Sequence, residues 1–226
     1  MLKIAAILRF SALDYPSKLS AVVFCQGCPL RCKYCHNYDF IDPVAPGALT
    51  FESLISFLKT RRDQLEAVVF SGGEPLMQPG LIEAAERVRE MGFLIGLHTA
   101  GTYPDRLANM LKITNWTGFD IKTSFARYSE ITQIEKSGLQ ALASLEYLLA
   151  SGVDHELRTT YDPRNISDEA LLDTARTLKE LGATKWVIQE CILRDKDSTK
   201  GQSLGMPSKS IILQISEHIG VELRRG

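Results

Sequence analysis

At 226 residues, with 45% hydrophobic and 23% charged side chains, the chain has a globular composition that excludes disordered and fibrous classes. Its 26 Lys and Arg against 27 Asp and Glu leave a net charge of −1, without the basic excess of a phosphate-neutralising protein, so nucleic acid is not expected as a partner. No run approaches the roughly 20 apolar residues of a membrane span, and no membrane partner is expected.

In chain order, Ile4 to Leu8 is apolar but Arg9 interrupts it, which is too short for a signal-peptide core. A cytoplasmic location is therefore expected. Six strand-length runs follow: Ala21–Phe24, Ala67–Phe70, Phe93–Leu97, Trp116–Ile121, Glu156–Thr160 and Trp186–Gln189. Amphipathic helices over 81–91, 139–151 and 168–181 lead into Gly92, Gly152 and Gly182, each placed to end a helix, with Ser167 as an N-cap for the third. A last helix over about 208–219 ends at Gly220. Strands alternating with helices imply a parallel α/β sheet, either an incomplete barrel or a doubly wound sheet; periodicity does not choose between them.

Unusual residues gather just after these runs. Cysteines follow Phe24, Ser71-Gly72-Gly73-Glu74-Pro75 follows Phe70, and His98-Thr99-Ala100-Gly101 follows Leu97. Asp120-Ile121-Lys122 closes the fourth run, Arg158-Thr159-Thr160 the fifth and Gln189-Glu190 the sixth. Active sites of parallel α/β folds lie at the carboxyl ends of strands, so one site on one rim is expected.

Four of the five cysteines, Cys25, Cys28, Cys32 and Cys35, fall within eleven residues, which reads as metal or redox chemistry and not as a disulfide framework. Cys28, Cys32 and Cys35 form a C-x3-C-x2-C loop whose thiolates suit three corners of a [4Fe–4S] cluster with the fourth iron open. Including Cys25 leaves two alternatives, a closed four-thiolate cluster or a tetrahedral zinc site.

Cys28 to Asn37, ending Cys35-His36-Asn37, resembles the signature of radical S-adenosylmethionine (SAM) enzymes, and more narrowly of the activating enzymes of glycyl-radical proteins. Phe10 to Leu19 and Val23 to Pro29 resemble the anaerobic ribonucleoside-triphosphate reductase activating proteins. The resemblance, over roughly residues 4 to 190, implies a partial (β/α)6 TIM-type barrel with an N-terminal β extension. It implies one domain over 1–226, with its core at about 18–190 and a C-terminal helix and short strand at about 207–224.

It also implies a [4Fe–4S] cluster on Cys28, Cys32 and Cys35, and SAM bound by Tyr34, Cys35, His36, Gly72, Gly73, Glu74, Asp120, Lys122 and Arg158. Lys122 and Asp120 are the implied catalytic residues. The reaction implied is one-electron cleavage of SAM and removal of a hydrogen from a glycine Cα of a partner protein, with anaerobic ribonucleotide reductase first among candidates. A flavodoxin- or ferredoxin-type donor would supply the electron. The alternatives are a radical SAM enzyme for a small molecule, or a non-catalytic iron–sulfur or zinc module.

Two departures stand out. Where relatives often show Asp-Thr-Asn-Gly, whose aspartate helps hold a monovalent cation, this chain has His98-Thr99-Ala100-Gly101. Ser17 replaces a usual glycine, a change expected to be harmless. The polar segment Arg194 to Ser208 follows the sixth run and suits a loop that orders against a partner.

Overall fold

A computed structural model of the chain describes residues 2–194 and 201–225. Strands β1 (Ile4–Ser11) and β2 (Ser20–Cys25) pair antiparallel. Then come β3 (Ala67–Gly72), β4 (Leu94–Thr99), β5 (Trp116–Asp120), β6 (Asp154–Tyr161) and β7 (Lys185–Glu190), each parallel to the one before. A short hairpin, β8 (Ile192–Arg194) and β9 (Gly201–Ser203), precedes β10 (Gly220–Arg224), which adds to β7 in parallel. Helices are α1 (Phe51–Lys59), α2 (Leu81–Glu90), α3 (Pro104–Met110), α4 (Tyr128–Thr132), α5 (Ser137–Ser151), α6 (Asp168–Glu180) and α7 (Lys209–Ser216).

The strand order, β1-β2-β3-β4-β5-β6-β7-β10, decides between the two architectures left open by periodicity. A doubly wound sheet reverses its order at a switch point, whereas here every crossover steps the same way. With right-handed connections, that keeps the helices on one face and leaves the other to curl inward as an open barrel. Alternation along the strands fits. Val23, Phe70, Leu97, Phe119, Leu157 and Ile188 join the large core with Leu54, Val88, Leu107, Leu145 and Leu178 of the helices. On the concave side Val22, Val69, Tyr15 and Trp116 form a smaller cluster, with the Tyr15 and Trp116 rings 5.5 Å apart. The concave residues of β6, namely Glu156, Arg158 and Thr160, are only half-buried.

Gly92, Gly152 and Gly182 all have positive φ after their helices, and Ser167 caps α6 through Ala170 N at 3.2 Å. Gly220 does not do the same. Helix α7 stops at Ser216, and Gly220 opens β10, its amide donating to the Thr184 carbonyl. Two other sequence expectations change. Ser17 sits at φ 60, the left-handed region, so replacing glycine there costs roughly 1 kcal/mol and is not neutral. Of the segment expected to be a loop, 195–200 lies outside the described residues, while Gly201–Ser203 is paired as a strand with Ile192–Arg194.

Candidate active site

The cysteine loop leaves β2 and closes on its own base. Gly27 N donates to the Phe40 carbonyl at 2.7 Å and Cys28 N to that of Ile41 at 3.0 Å. Within the loop, Arg31 Nη1 donates to the carbonyls of Cys28 and Leu30, and Cys35 N to that of Cys32. Cys28, Leu30 and Ile41 are buried together, with Cys32, Cys35, Ala100 and Ile134 against them. A cavity of about 270 Å³ opens beside Leu30, Cys32, Cys35, Ile41 and Gln133. Among the described residues no three His, Cys, Asp or Glu side chains converge on one point. Cys32 and Cys35 line the cavity, and Cys28 is buried in the small cluster against which both of them pack.

Cys25 stands apart. It is fully buried at the end of β2 and packs in the large core, and burial drives its thiol far above the ordinary range. Burial also pushes Cys28 up to about 12, so cluster loading releases protons from this loop. Tyr34 fits a place for a bound polar group: its hydroxyl is buried without a hydrogen-bond partner, within electrostatic reach of Lys122, Cys32 and Asp120. Asn37 Nδ2 donates to the Gly72 carbonyl at 2.8 Å and ties the loop to β3, whereas His36 lies exposed.

At the end of β3, a Cβ on Gly72 would lie 2.4 Å from the Cys25 nitrogen, and one on Gly73 would lie 2.2 Å from the Gly27 oxygen. The close approach these glycines permit is therefore made by the chain's own cysteine loop. Glu74 is 1% exposed and caps the turn Pro75–Met77. Its carboxylate accepts from Leu76 N at 3.1 Å, Thr99 Oγ1 at 2.8 Å, Ala100 N at 2.9 Å and Thr102 Oγ1 at 3.4 Å. Burial raises the Glu74 pKa, and these donors oppose the rise. Glu74 thus clamps the end of β3 to that of β4.

Across the concave face, Asp120 pairs in register with Arg158, whose Nε donates to Asp120 Oδ1 at 2.5 Å. Lys122 Nζ lies 3.6 Å from Asp120 Oδ2. Burial would raise the Asp120 pKa, but Arg158 and Lys122 outweigh it and hold it down to about 2. Burial would lower that of Lys122, but Asp120 keeps it well above its usual value. Arg158 is mid-strand in β6, not at its end, and Gly118 makes room for it: a Cβ there would lie 2.8 Å from Arg158 Nη1 and 3.0 Å from His98 Cδ2.

His98 is bonded to the connection between β1 and β2. Its Nε2 lies 2.9 Å from the Asp14 carbonyl, its ring edge meets Trp116, and Nδ1 is 4.0 Å from Asp14 Oδ1. With Asp120 neutralised by Arg158 and Lys122, this corner binds the chain to itself. Burial and Arg158 depress the His98 pKa to about 4. A depressed histidine favours the fold while neutral, so this stability is complete above the unfolded value of about 6.5 and is lost as pH falls toward 4. Urea unfolding of the wild type should weaken by roughly 2–3 kcal/mol between pH 7 and pH 4.5. His98→Gln should show a much flatter dependence over that interval; equal slopes would remove His98 as its source.

Four side chains of the site were given no role by the sequence. Tyr128 accepts from Lys122 N at 3.0 Å, Thr99 and Thr102 hold Glu74, and Asp14 meets His98. The Glu74 and His98 contacts join parts of the chain far apart in sequence, whereas Tyr128 reaches back six residues from α4.

The model of the Radical SAM superfamily matches residues 22–178. A protein of Methanocaldococcus jannaschii, named provisionally as a glycyl-radical enzyme activating enzyme, is 30% identical over 224 residues, covering 95% of this chain and 90% of that one. The 7-carboxy-7-deazaguanine synthase of the same organism is 26% identical over 219 residues, covering 88% and 83%. Among solved structures, Streptococcus suis SuiB bound to S-adenosylmethionine superposes with a TM-score of 0.64 at 12% identity, over 89% of this chain and 48% of that one, a likeness of fold.

Proposed function

The chain belongs to the radical SAM superfamily, and on that footing we infer that it is an activating enzyme that makes a glycyl radical on a partner protein, the anaerobic ribonucleoside-triphosphate reductase. The superfamily's [4Fe–4S] cluster and SAM supply the chemistry when bound: an electron that cleaves SAM and a radical that takes a hydrogen from a glycine Cα. The observation that carries the reading is the meeting, at one rim, of the Cys28–Cys35 loop with Lys122, Asp120 and Glu74.

Cys28, Cys32 and Cys35 would hold the cluster. Lys122, kept cationic by Asp120, would pair with the SAM carboxylate, and Asp120 is itself fixed by Arg158. Glu74 holds the Gly72–Gly73 turn against Ala100 and so shapes the place for the SAM amino group. Tyr34, Leu30 and Ile41 exclude water. Exposed Arg31 and Lys33 flank the loop, where an acidic flavodoxin- or ferredoxin-type donor would approach.

The likeness to a 7-carboxy-7-deazaguanine synthase favours a second reading, an enzyme for a small molecule. One experiment separates them. Reduced, cluster-loaded protein is mixed with SAM and the reductase, and the EPR spectrum is searched for a glycyl doublet. Its appearance with loss of SAM supports activation. SAM consumed on a small metabolite, with the reductase silent, supports the second reading.

A further inference from the structure

The large sheet has two free edges, β1 at one end of the strand order and β10 at the other, and they differ. Along β10, Arg224 pairs with Glu156 and Glu222, and Glu222 also pairs with Lys185, so its charges are spent within the sheet. The start of β1 is covered, since Leu49 N donates to the Ile4 carbonyl at 3.1 Å. Beyond it, Leu8, Phe10 and Leu13 stand in solvent at 44%, 57% and 93% exposure, whereas β10 leaves only Leu223 so exposed.

Leu13 is not on a loose loop. Ser11 Oγ accepts from Leu13 N at 3.1 Å and from Asp14 N at 3.2 Å, and donates to Asp14 Oδ2 at 2.5 Å. The turn is then pinned to the barrel by His98 at the Asp14 carbonyl and by the Tyr15 ring against Trp116. A leucine held in water on a fixed turn is a preformed anchor, which a partner can bury without first ordering it.

Charge sits beside this apolar row. Ile7 packs into the large core, and two residues on, the Arg9 guanidinium lies 5.8 Å from the centre of the Phe57 ring of α1. Arg61 lies 5.7 Å from the same ring and donates to Gln64. Among the described residues neither arginine meets a carboxylate. Register shifts on both sides of Ala6–Leu8 leave too short a regular edge to template a strand, so side chains are what β1 offers. Those side chains suit an apolar stretch that carries a carboxylate. A second copy docked about a two-fold axis would instead bring the unpaired arginines of both chains to one interface.

We propose that the β1 edge and the Leu13 turn form a docking surface, outside the cofactor site, for an apolar, acidic stretch of the reductase. The proposal rests on the activating-enzyme reading and adds where the partner is gripped. A protein that brings a glycine to the rim across the open side of the barrel lies along one of its free edges. Of the two, β1 has the unpaired cations and the exposed apolar row.

The test titrates the anaerobic reductase into cluster-loaded, oxidised enzyme with SAM present, so that binding is read without turnover. Leu13→Ser combined with Phe10→Ser should raise Kd about tenfold or more, the loss of two anchors. Arg9→Glu should raise it about three- to tenfold and make binding less sensitive to salt. Leu213→Ser, which alters an exposed leucine of α7, should leave Kd unchanged. Iron content should match the wild type in every variant, and the SAM dissociation constant should stay within about twofold, because the surface lies outside the cofactor site. Reductase affinity unchanged in both β1 variants, beside a wild type that does yield the glycyl doublet, overturns the surface and leaves the activating-enzyme reading standing. A wild-type dimer that the Leu13 and Phe10 substitutions dissociate, with reductase affinity per chain unaltered, assigns the patch to a second copy and also overturns it. A wild type that neither binds the reductase nor gives a doublet overturns the reading itself, and the surface falls with it.

Discussion

Reconstituted Cys28→Ala, Cys32→Ala and Cys35→Ala proteins are expected to retain almost no iron, against about four per chain in the wild type. These three thiols share one loop whose base is locked by the Gly27 and Cys28 amides, so the loop persists while its ligand count drops below what the cluster needs. Cys25→Ala is the informative control. Its thiol lies in the large core, behind the turn that Gly72 packs against. That variant should bind its full iron and unfold about 1 kcal/mol more easily, the effect of a small cavity. Iron content and urea midpoints of the four variants and the wild type decide the matter. Iron lost from Cys25→Ala would make it a fourth ligand and close the cluster.

The frame of this fold was legible because its strands and three of its helices carry local signals. Runs such as Ala67–Phe70 are apolar on both faces, and in the structure both faces of β3 are covered, by helices outside and by Tyr15 and Trp116 within. Helices α2, α5 and α6 end at left-handed glycines, whereas α1 and α3 end at Thr60 and Leu111 in ordinary helical geometry and lack that mark. The cysteine loop was legible because its chemistry is written in spacing. What spacing does not encode is register. That Arg158 meets Asp120 follows from how β5 and β6 align, and residues 38 apart in sequence give no hint of it. The same holds for Glu74, whose donors Thr99, Ala100 and Thr102 come from the end of β4, and for Asp14 and His98. These pairings make the site a scaffold of buried polar contacts between strand ends.

Asp120→Ala tests that scaffold where it bears most charge. The substitution leaves Arg158 and Lys122, with 13% and 16% of their side chains exposed, facing each other without the carboxylate between them. Breaking a buried pair from one side costs about 3–5 kcal/mol; with Asp120 itself 30% exposed, roughly 2–4 kcal/mol is expected here. Adding Arg158→Leu should recover part of the loss, since it removes one stranded cation, whereas two independent defects would add. SAM affinity should fall in the single variant, because Lys122 loses the partner that orients it. The pH dependence gives a further check. A carboxylate held down at about 2 favours the fold while ionised, so its contribution is present above about 4 and lost as pH falls toward 2. Asp120 should account for roughly 2 kcal/mol of the wild type's loss over that interval, and Asp120→Ala should lose less by that amount. The His98 loss lies at higher pH, between about 6.5 and 4, so acid should dismantle this corner in two separable steps. A His98→Gln protein that keeps the lower step and an Asp120→Ala protein that keeps the upper one would assign each step to its residue. If either substitution flattened both, the two groups would titrate as one unit through Arg158, which faces both.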